Sequence, residues 1–116
     1  MVNRAALILR YKEPAIQWIN DADPSPKKHQ VTAAAVNEER TVYLIPEEAA
    51  DDRESLNRWI KANVKPLFEN ELESWYTDPA MWPKNRSLAT FRKWFEIECN
   101  SVIIDTVGQE IVDEEI

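Results

Sequence analysis

An apolar residue recurs every three or four positions between residues 56 and 76, which is the spacing of one face of an α-helix. Asp51, Asp52 and Glu54 come just before this run, where negative charge favours a helix N-terminus. Pro66 lies inside the run and must remove the backbone hydrogen bond to the Ala62 carbonyl, so we expect a kink there. The sequence therefore predicts one long, kinked helix rather than two separate ones. Its apolar face consists of Leu56, Trp59, Ile60, Val64, Leu67, Phe68, Leu72, Trp75 and Tyr76.

Shorter patterns lie on both sides of this helix. Residues 5–12 are rich in aliphatic side chains and predict a buried strand, and Pro14 then begins a short helix over residues 14–20. Residues 30–36 and 41–45 flank a polar stretch and predict a β-hairpin. After the long helix, Asp78 and Pro79 predict a single turn, and Ser87 predicts the cap of a short helix. Residues 95–107 predict a strand with one mostly buried face.

The predicted order is strand, helix, two strands, helix, strand. This is the βαββαβ order of a ferredoxin-like, two-layer α+β fold, in which helices cover one face of an antiparallel sheet. A chain of 116 residues fits a single domain. We therefore expect one α+β domain over residues 1–116, with a flexible acidic tail at about residues 109–116, after Gly108.

Histidine, cysteine and glycine each occur once, which limits the metal, disulfide and nucleotide sites that the chain can form. One histidine, His29, and one cysteine, Cys99, cannot supply the usual ligand set of a zinc site, and a lone cysteine cannot form an internal disulfide. With Gly108 as the only glycine, glycine-rich phosphate-binding loops are absent, which disfavours ATP, GTP and NAD chemistry. We expect no metal and no cofactor. The longest apolar run near the N-terminus spans residues 5–9 and is too short for a membrane span or a signal peptide, so we expect a cytoplasmic protein with no membrane partner.

The net charge of −7 disfavours nucleic acid as a partner, because nucleic acids are bound mainly through neutralised phosphates. Residues 81–95 are nevertheless basic and contain no acid. Aromatic residues lie among and beside these cations, so the region predicts a surface where rings stack on a ligand or partner and cations supply charge. The candidate binding patch is Trp75, Tyr76, Trp82, Lys84, Arg86, Arg92, Lys93 and Trp94.

A structural interpretation of the same region stays open. Glu69, Glu71 and Glu73 lie near the C-terminus of the long helix, where anions are unfavourable, and Glu69 and Glu73 form a like-charged pair four residues apart. The chain reverses directly afterwards. The cations could then neutralise these glutamates while the aromatic rings fill the core.

Two other functions are alternatives. Glu96, Glu98, Ser101 and Asp105 in one pocket would make a small carboxylate-dependent enzyme. Cys99 is an unsuitable nucleophile, since we expect it to be buried and Glu96 and Glu98 would raise its pKa. The second alternative is weak binding of a polyanion or nucleic acid through the basic residues. Those residues are Lys84, Arg86, Arg92 and Lys93.

A distinctive series of short motifs occupies residues 67–107. They are an acidic, aromatic helix end, a Trp-Pro turn, an F-x-x-W-F segment and an S-V-x-x-D strand. The residues are Glu71, Trp75, Trp82, Pro83, Phe91, Trp94, Phe95, Ser101, Val102 and Asp105. In these elements, over roughly residues 40–108, the chain resembles a family of short bacterial proteins with no assigned activity. The resemblance implies a small bacterial cytoplasmic domain.

The sequence favours a non-enzymatic protein over an enzyme, and it indicates no catalytic residue. We expect a binding or protein-interaction module that uses residues 75–94. Its partner would be an unidentified protein or small ligand, and we expect that the same surface could form a homodimer.

Overall fold

A computed structural model describes residues 1–23 and 30–114 of the chain. Its described residues form an α+β structure with a three-stranded antiparallel sheet and four α-helices. His29 lies outside the described residues. The strands are β1 (Arg4–Tyr11), β2 (Val42–Pro46) and β3 (Phe95–Asn100), and the α-helices are α1 (Glu13–Ala22), α2 (Ala33–Val36), α3 (Arg53–Glu73) and α4 (Leu88–Trp94). Two short 3₁₀ helices cover Glu47–Ala50 and Pro79–Met81.

The strand β1 lies in the centre of the sheet and pairs antiparallel with β2 on one side and β3 on the other. Successive side chains of a strand point to opposite faces of the sheet, so every second residue of β1 lies on the same face. Leu7, Leu9 and Tyr11 point into the core, where they join Phe68 of α3 and Phe91 of α4. These last two rings lie 5.5 Å apart in an edge-to-face arrangement.

The opposite face of the sheet is more exposed. Val42 and Leu44 of β2, which pair with Ile8 and Ala6 of β1, keep about half of their surface in contact with solvent. The helices and the aromatic core therefore lie on one side of the sheet, as a two-layer α+β fold requires.

The predicted β-hairpin is wrong, because residues 33–36 form a helix rather than a strand. Thr32 caps this helix by accepting a hydrogen bond from the backbone N–H of Ala35 at 3.2 Å. Alanine has the highest helix propensity of all residues, which outweighs the strand character of the flanking valines. With three strands among the described residues, the ferredoxin-like βαββαβ order is not confirmed.

The long helix is confirmed as a single element that continues through Pro66. Asp52 caps its N-terminus, with a carboxylate oxygen 2.7 Å from the backbone nitrogen of Ser55. The predicted caps Asp78 and Ser87 are also confirmed, since each side chain accepts a hydrogen bond from a backbone N–H of the turn that it begins.

The last strand ends much earlier than residue 107. Beyond Asn100 the described residues, up to 114, form no regular secondary structure and are almost all exposed. Gly108 adopts a positive φ of 75°, which glycine tolerates because it has no Cβ. Large apolar side chains are among the exposed ones, namely Val102, Ile104, Val107, Ile111 and Val112. Within the described ranges, no helix has the length and apolar character needed to cross a membrane.

Candidate functional site

Trp75, Tyr76, Trp82 and Trp94 are half-buried, and the side-chain polar atoms of the first three form hydrogen bonds within the chain. The indole N–H of Trp75 donates to the Tyr11 hydroxyl at 3.0 Å, and that of Trp82 donates to the Tyr76 carbonyl at 2.7 Å. The Tyr76 hydroxyl donates to the Ile19 carbonyl at 2.5 Å. These contacts connect the end of α3 to α1 and to β1, so the three side chains contribute to the fold.

Trp94 occupies a similar structural position on α4. Its ring lies 5.6 Å from that of Trp18 and 5.4 Å from that of Phe68, measured between ring centres. The indole N–H of Trp18 in turn donates to the Met81 carbonyl at 3.0 Å. The aromatic cluster therefore packs α1 and the turn after α3 against α4, which agrees with the structural interpretation of these rings.

The cations of this region do not neutralise the glutamates of α3, and that expectation is wrong. Lys84, Arg86 and Lys93 are exposed. The Arg86 guanidinium lies 5.9 Å from the centre of the Trp82 ring and donates to the Pro83 carbonyl. Among the described residues, the ion pairs connect Arg10 and Arg40 to Glu98 and Arg58 to Glu54, so none involves Glu69, Glu71 or Glu73.

Glu71 is instead buried, with 6% of its surface exposed, and neutral donors surround it. The Tyr11 hydroxyl donates to its Oε1 at 2.7 Å, and the Tyr43 hydroxyl donates to its Oε2. Trp75 donates to the Tyr11 oxygen, and the Asn70 side-chain amide donates to the Tyr43 oxygen at 2.8 Å. Every hydrogen bond of this network points towards the carboxylate, which accepts on both oxygens. A buried carboxylate is thus stabilised without a cation.

This network also raises the pKa values of its two tyrosines. Burial, the negative charge of Glu71 and the hydrogen bond to it together raise the pKa of Tyr11 far above its usual value. Burial and the hydrogen bond to Glu71 raise the pKa of Tyr43 in the same direction. A small cleft of about 150 Å³ opens beside the network and is lined in part by Arg40 and Ser74. The network joins β1, β2 and α3, and its polar side chains are already occupied by one another.

A larger cleft of about 630 Å³ lies between the first half of α3 and α4. Its lining is dominated by long cationic side chains, and one acidic residue, Glu54, is among them. That carboxylate is bonded to Arg58 at 3.1 Å. We call this cleft the cationic groove, and its lining residues are Arg53, Glu54, Asn57, Arg58, Lys61, Leu88 and Arg92.

The groove continues towards the sheet. A second cleft of about 390 Å³ shares Arg53, Asn57 and Arg92 with the first. The remaining residues of its lining are apolar and include buried or half-buried side chains. They are Leu56, Ile60, Phe95 and Ile97. Ile60 and Phe95 are buried, so the apolar floor inside the cationic rim is formed by the half-buried Leu56 and Ile97.

Three cations of the rim have no acidic partner among the described residues: Arg53, Lys61 and Arg92. Arg92 donates to the side-chain oxygen of Asn57 at 3.1 Å, which positions its guanidinium over α3. Arg53 is the first residue of α3, where a positive charge is unfavourable because the helix dipole is positive there. The groove concentrates positive charge on the surface of an acidic protein.

Among the residues that line the groove, the sequence predicts a binding role for Arg92 alone. The others had a detectable signal, because Arg53, Asn57 and Lys61 are spaced four residues apart and must lie on one helix face. That α4 would pack beside this face was not detectable, since it depends on the tertiary arrangement.

The carboxylates of the enzyme alternative do not form a shared pocket with free side chains. Glu96, Ser101 and Asp105 are exposed, and an Asp105 oxygen accepts a hydrogen bond from the Val107 backbone N–H. Glu98 lies 3.2 Å from Arg40 and 3.9 Å from Arg10.

Cys99 is half-buried rather than buried, and burial rather than the neighbouring glutamates raises the pKa of its thiol. Among the described residues, no three histidine, cysteine, aspartate or glutamate side chains lie close enough together to hold a metal ion.

Comparison with known proteins adds no relative. No family model, no curated protein and no solved structure matches this chain. The resemblance to a family of short bacterial proteins therefore stays a prediction.

Proposed function

We propose that this protein is a non-enzymatic interaction module that binds an acidic segment of a partner protein in the cationic groove. The observation that carries this proposal is the rim of the groove, where Arg53, Lys61 and Arg92 have no acidic partner among the described residues. Clusters of cations that lack internal partners are available for an external anion.

The apolar floor narrows the chemistry of the bound segment. Leu56 and Leu88 are half-buried in the groove, and Ile97 extends the apolar surface towards β3. A segment that alternates acidic and apolar side chains would place its carboxylates on the rim and its apolar side chains on the floor. An extended peptide presents alternate side chains in this way.

A protein segment fits this groove better than nucleic acid does. Single-stranded nucleic acid is bound by exposed aromatic rings on which bases stack, and the one aromatic residue that reaches the groove, Phe95, is buried. The net charge of −7 would also repel a polyanion at long range.

Residues 75–94 contribute to this function mainly through Arg92. The aromatic packing of Trp94 and Phe91 holds α4 against α3, and this packing positions Arg92 over the groove. Lys84, Arg86 and Lys93 do not line the groove, so we assign the binding contribution of the basic region to Arg92.

The test is binding of a fluorescently labelled peptide of alternating glutamate and leucine, followed by fluorescence anisotropy at low and at physiological salt. We expect Arg53→Glu together with Arg92→Glu to weaken binding roughly tenfold or more, because each reversal replaces an attraction with a repulsion. Binding to the unaltered protein should weaken as salt is added, since exposed charges are screened.

Lys84→Glu together with Arg86→Glu is the matched control, since it makes the same change in net charge outside the groove. We expect this variant to bind the peptide almost as well as the unaltered protein. Equal losses in the two variants would show that the overall charge rather than the groove binds the peptide. Tighter binding of a DNA oligonucleotide than of the peptide would overturn the proposal.

A further inference from the structure

The C-terminal segment of the chain has the composition that the cationic groove fits. Residues 105–114 carry four acidic side chains, Asp105, Glu110, Asp113 and Glu114, interspersed with apolar ones. The apolar side chains Val107, Ile111 and Val112 are each more than 60% exposed. Exposed apolar side chains of this size next to carboxylates indicate a segment that is covered when it binds. We call residues 105–114, which include the described part of the tail predicted at about residues 109–116, the acidic tail from here on.

We propose that the acidic tail of one copy binds the cationic groove of a second copy, so that two chains form a reciprocal homodimer; this rests on the function proposed above. Charge complementarity supports it directly. The tail brings four anions to a rim where Arg53, Lys61 and Arg92 have no acidic partner among the described residues, while Arg58 is paired with Glu54. Ile111 and Val112 would cover the apolar floor of the groove.

The position of the tail favours a second copy over the same chain. The Val2 backbone N–H donates to the Ile103 carbonyl at 2.8 Å, so the chain after β3 is held beside the start of β1 before the tail begins. The tail residues that follow are exposed and form no regular secondary structure, and the radius of gyration is 15.7 Å, against about 13 Å for a compact domain of this length. A protruding tail reaches a neighbouring molecule readily.

Reciprocal exchange of the two tails would also produce a closed dimer. If each tail occupies the partner's groove, the two contacts are identical and related by a two-fold axis, which produces a closed dimer rather than a chain of molecules. A contact formed by one short segment buries little area, so we expect a dissociation constant on the order of micromolar. The tail would then compete with an acidic partner segment for the groove.

The experiment uses two full-length variants in sedimentation velocity. The groove variant carries Arg53→Glu and Arg92→Glu and keeps its tail. The tail variant carries Ile111→Ser, Asp113→Lys and Glu114→Lys and keeps its groove. We expect the unaltered protein to dimerise in a concentration-dependent and salt-sensitive way and each variant alone to be monomeric.

Mixing the two variants tests the exchange itself. The tail of the groove variant can still enter the groove of the tail variant, so we expect a heterodimer that is held by one contact and is weaker than the unaltered dimer. A monomeric mixture, a monomeric unaltered protein, or variants that each dimerise as the unaltered protein does would overturn the inference. Far-ultraviolet circular dichroism of each variant shows whether it is folded.

Binding of the glutamate–leucine peptide to the tail variant separates this inference from the proposed function. If the tail variant binds the peptide but the unaltered protein does not self-associate, the inference fails and the proposed function stands. If the tail variant does not bind the peptide either, the proposed function fails as well. We expect the tail variant to bind the peptide at least as tightly as the unaltered protein, because no tail competes for its groove.

Discussion

The two ends of α3 carry charges that oppose the helix dipole, and the molecule treats them in opposite ways. Near the C-terminus, Glu71 is buried and receives hydrogen bonds from two tyrosine hydroxyls. At the N-terminus, Arg53 is exposed and has no acidic partner among the described residues. Both charges are unfavourable with respect to the dipole alone.

This difference separates a charge that serves the fold from one that is available for binding. The donors around Glu71 come from β1, β2 and α3, so the carboxylate joins three elements of the core. Arg53 does not connect elements of the core in this way. Its charge adds to that of Lys61 and Arg92 in the cationic groove. We therefore expect removal of the Glu71 charge and removal of the Arg53 charge to have very different effects on the free energy of unfolding.

The largest expected effect is that of Glu71→Ala. It leaves the hydroxyls of Tyr11 and Tyr43 without the acceptor that both now use, and each hydrogen bond to a charged group contributes about 1.5–3 kcal/mol. We expect the free energy of unfolding to fall by about 4 kcal/mol, which is a large part of the total for a domain of this size. Urea unfolding followed by tryptophan fluorescence measures this loss.

Glu73→Ala is the matched control for that experiment. Glu73 is an exposed glutamate two residues further along the same helix, so we expect a change of less than about 0.5 kcal/mol. A similar, small loss in both variants would contradict the structural role that we assign to Glu71.

The next effect is a loss of stability at alkaline pH. The pKa values of Tyr11 and Tyr43 are raised in the folded protein, so both stay protonated at a pH where an unfolded chain ionises its tyrosines, near pH 10. The folded state then binds more protons than the unfolded state, and stability falls as the pH rises. We expect no loss from these groups below about pH 10 and a loss of about 1.4 kcal/mol per pH unit for each tyrosine above it.

Tyr43→Phe tests the origin of this slope. The variant lacks one of the two tyrosines that Glu71 accepts from, so its stability should fall less steeply above about pH 10. Urea unfolding of both proteins at several values between about pH 9 and pH 11.5 gives the two slopes. Identical slopes would mean that Tyr43 ionises as easily in the folded protein as in the unfolded one.

The sequence was a good guide to the elements that depend on local signals. The period of α3, the cap formed by Asp52 and the turn started by Asp78 were predictable, because each depends on side chains within a few positions. Residues 30–36 were harder to predict, because the polar stretch that separates them from residues 41–45 favours a hairpin, whereas the helix propensity of the three alanines at 33–35 prevails in the fold.

The two charged regions of α3 were harder to predict, for different reasons. Glu71 is four residues from Leu67 and from Trp75, so its position on the apolar face was detectable, but its tyrosine partners come from distant strands. The cations of the groove lie on one face of α3, and the arrival of Arg92 from α4 depends on how the aromatic core packs. The spacing of residues in the sequence shows which of them share a face of a helix. What packs against that face depends on the tertiary structure.

The smallest expected effect on stability, at the other end of α3, is that of Arg53→Gln. The change removes a cation from the helix N-terminus and breaks no ion pair among the described residues, so we expect the free energy of unfolding to stay the same or to rise by no more than about 0.5 kcal/mol. Binding of the glutamate–leucine peptide should weaken several-fold in the same variant, since one charge of the rim is lost. Lys84→Gln, an exposed cation outside the groove, should leave both quantities unchanged. A loss of more than about 1 kcal/mol of stability in Arg53→Gln would place Arg53 with Glu71 among the charges that hold the fold together.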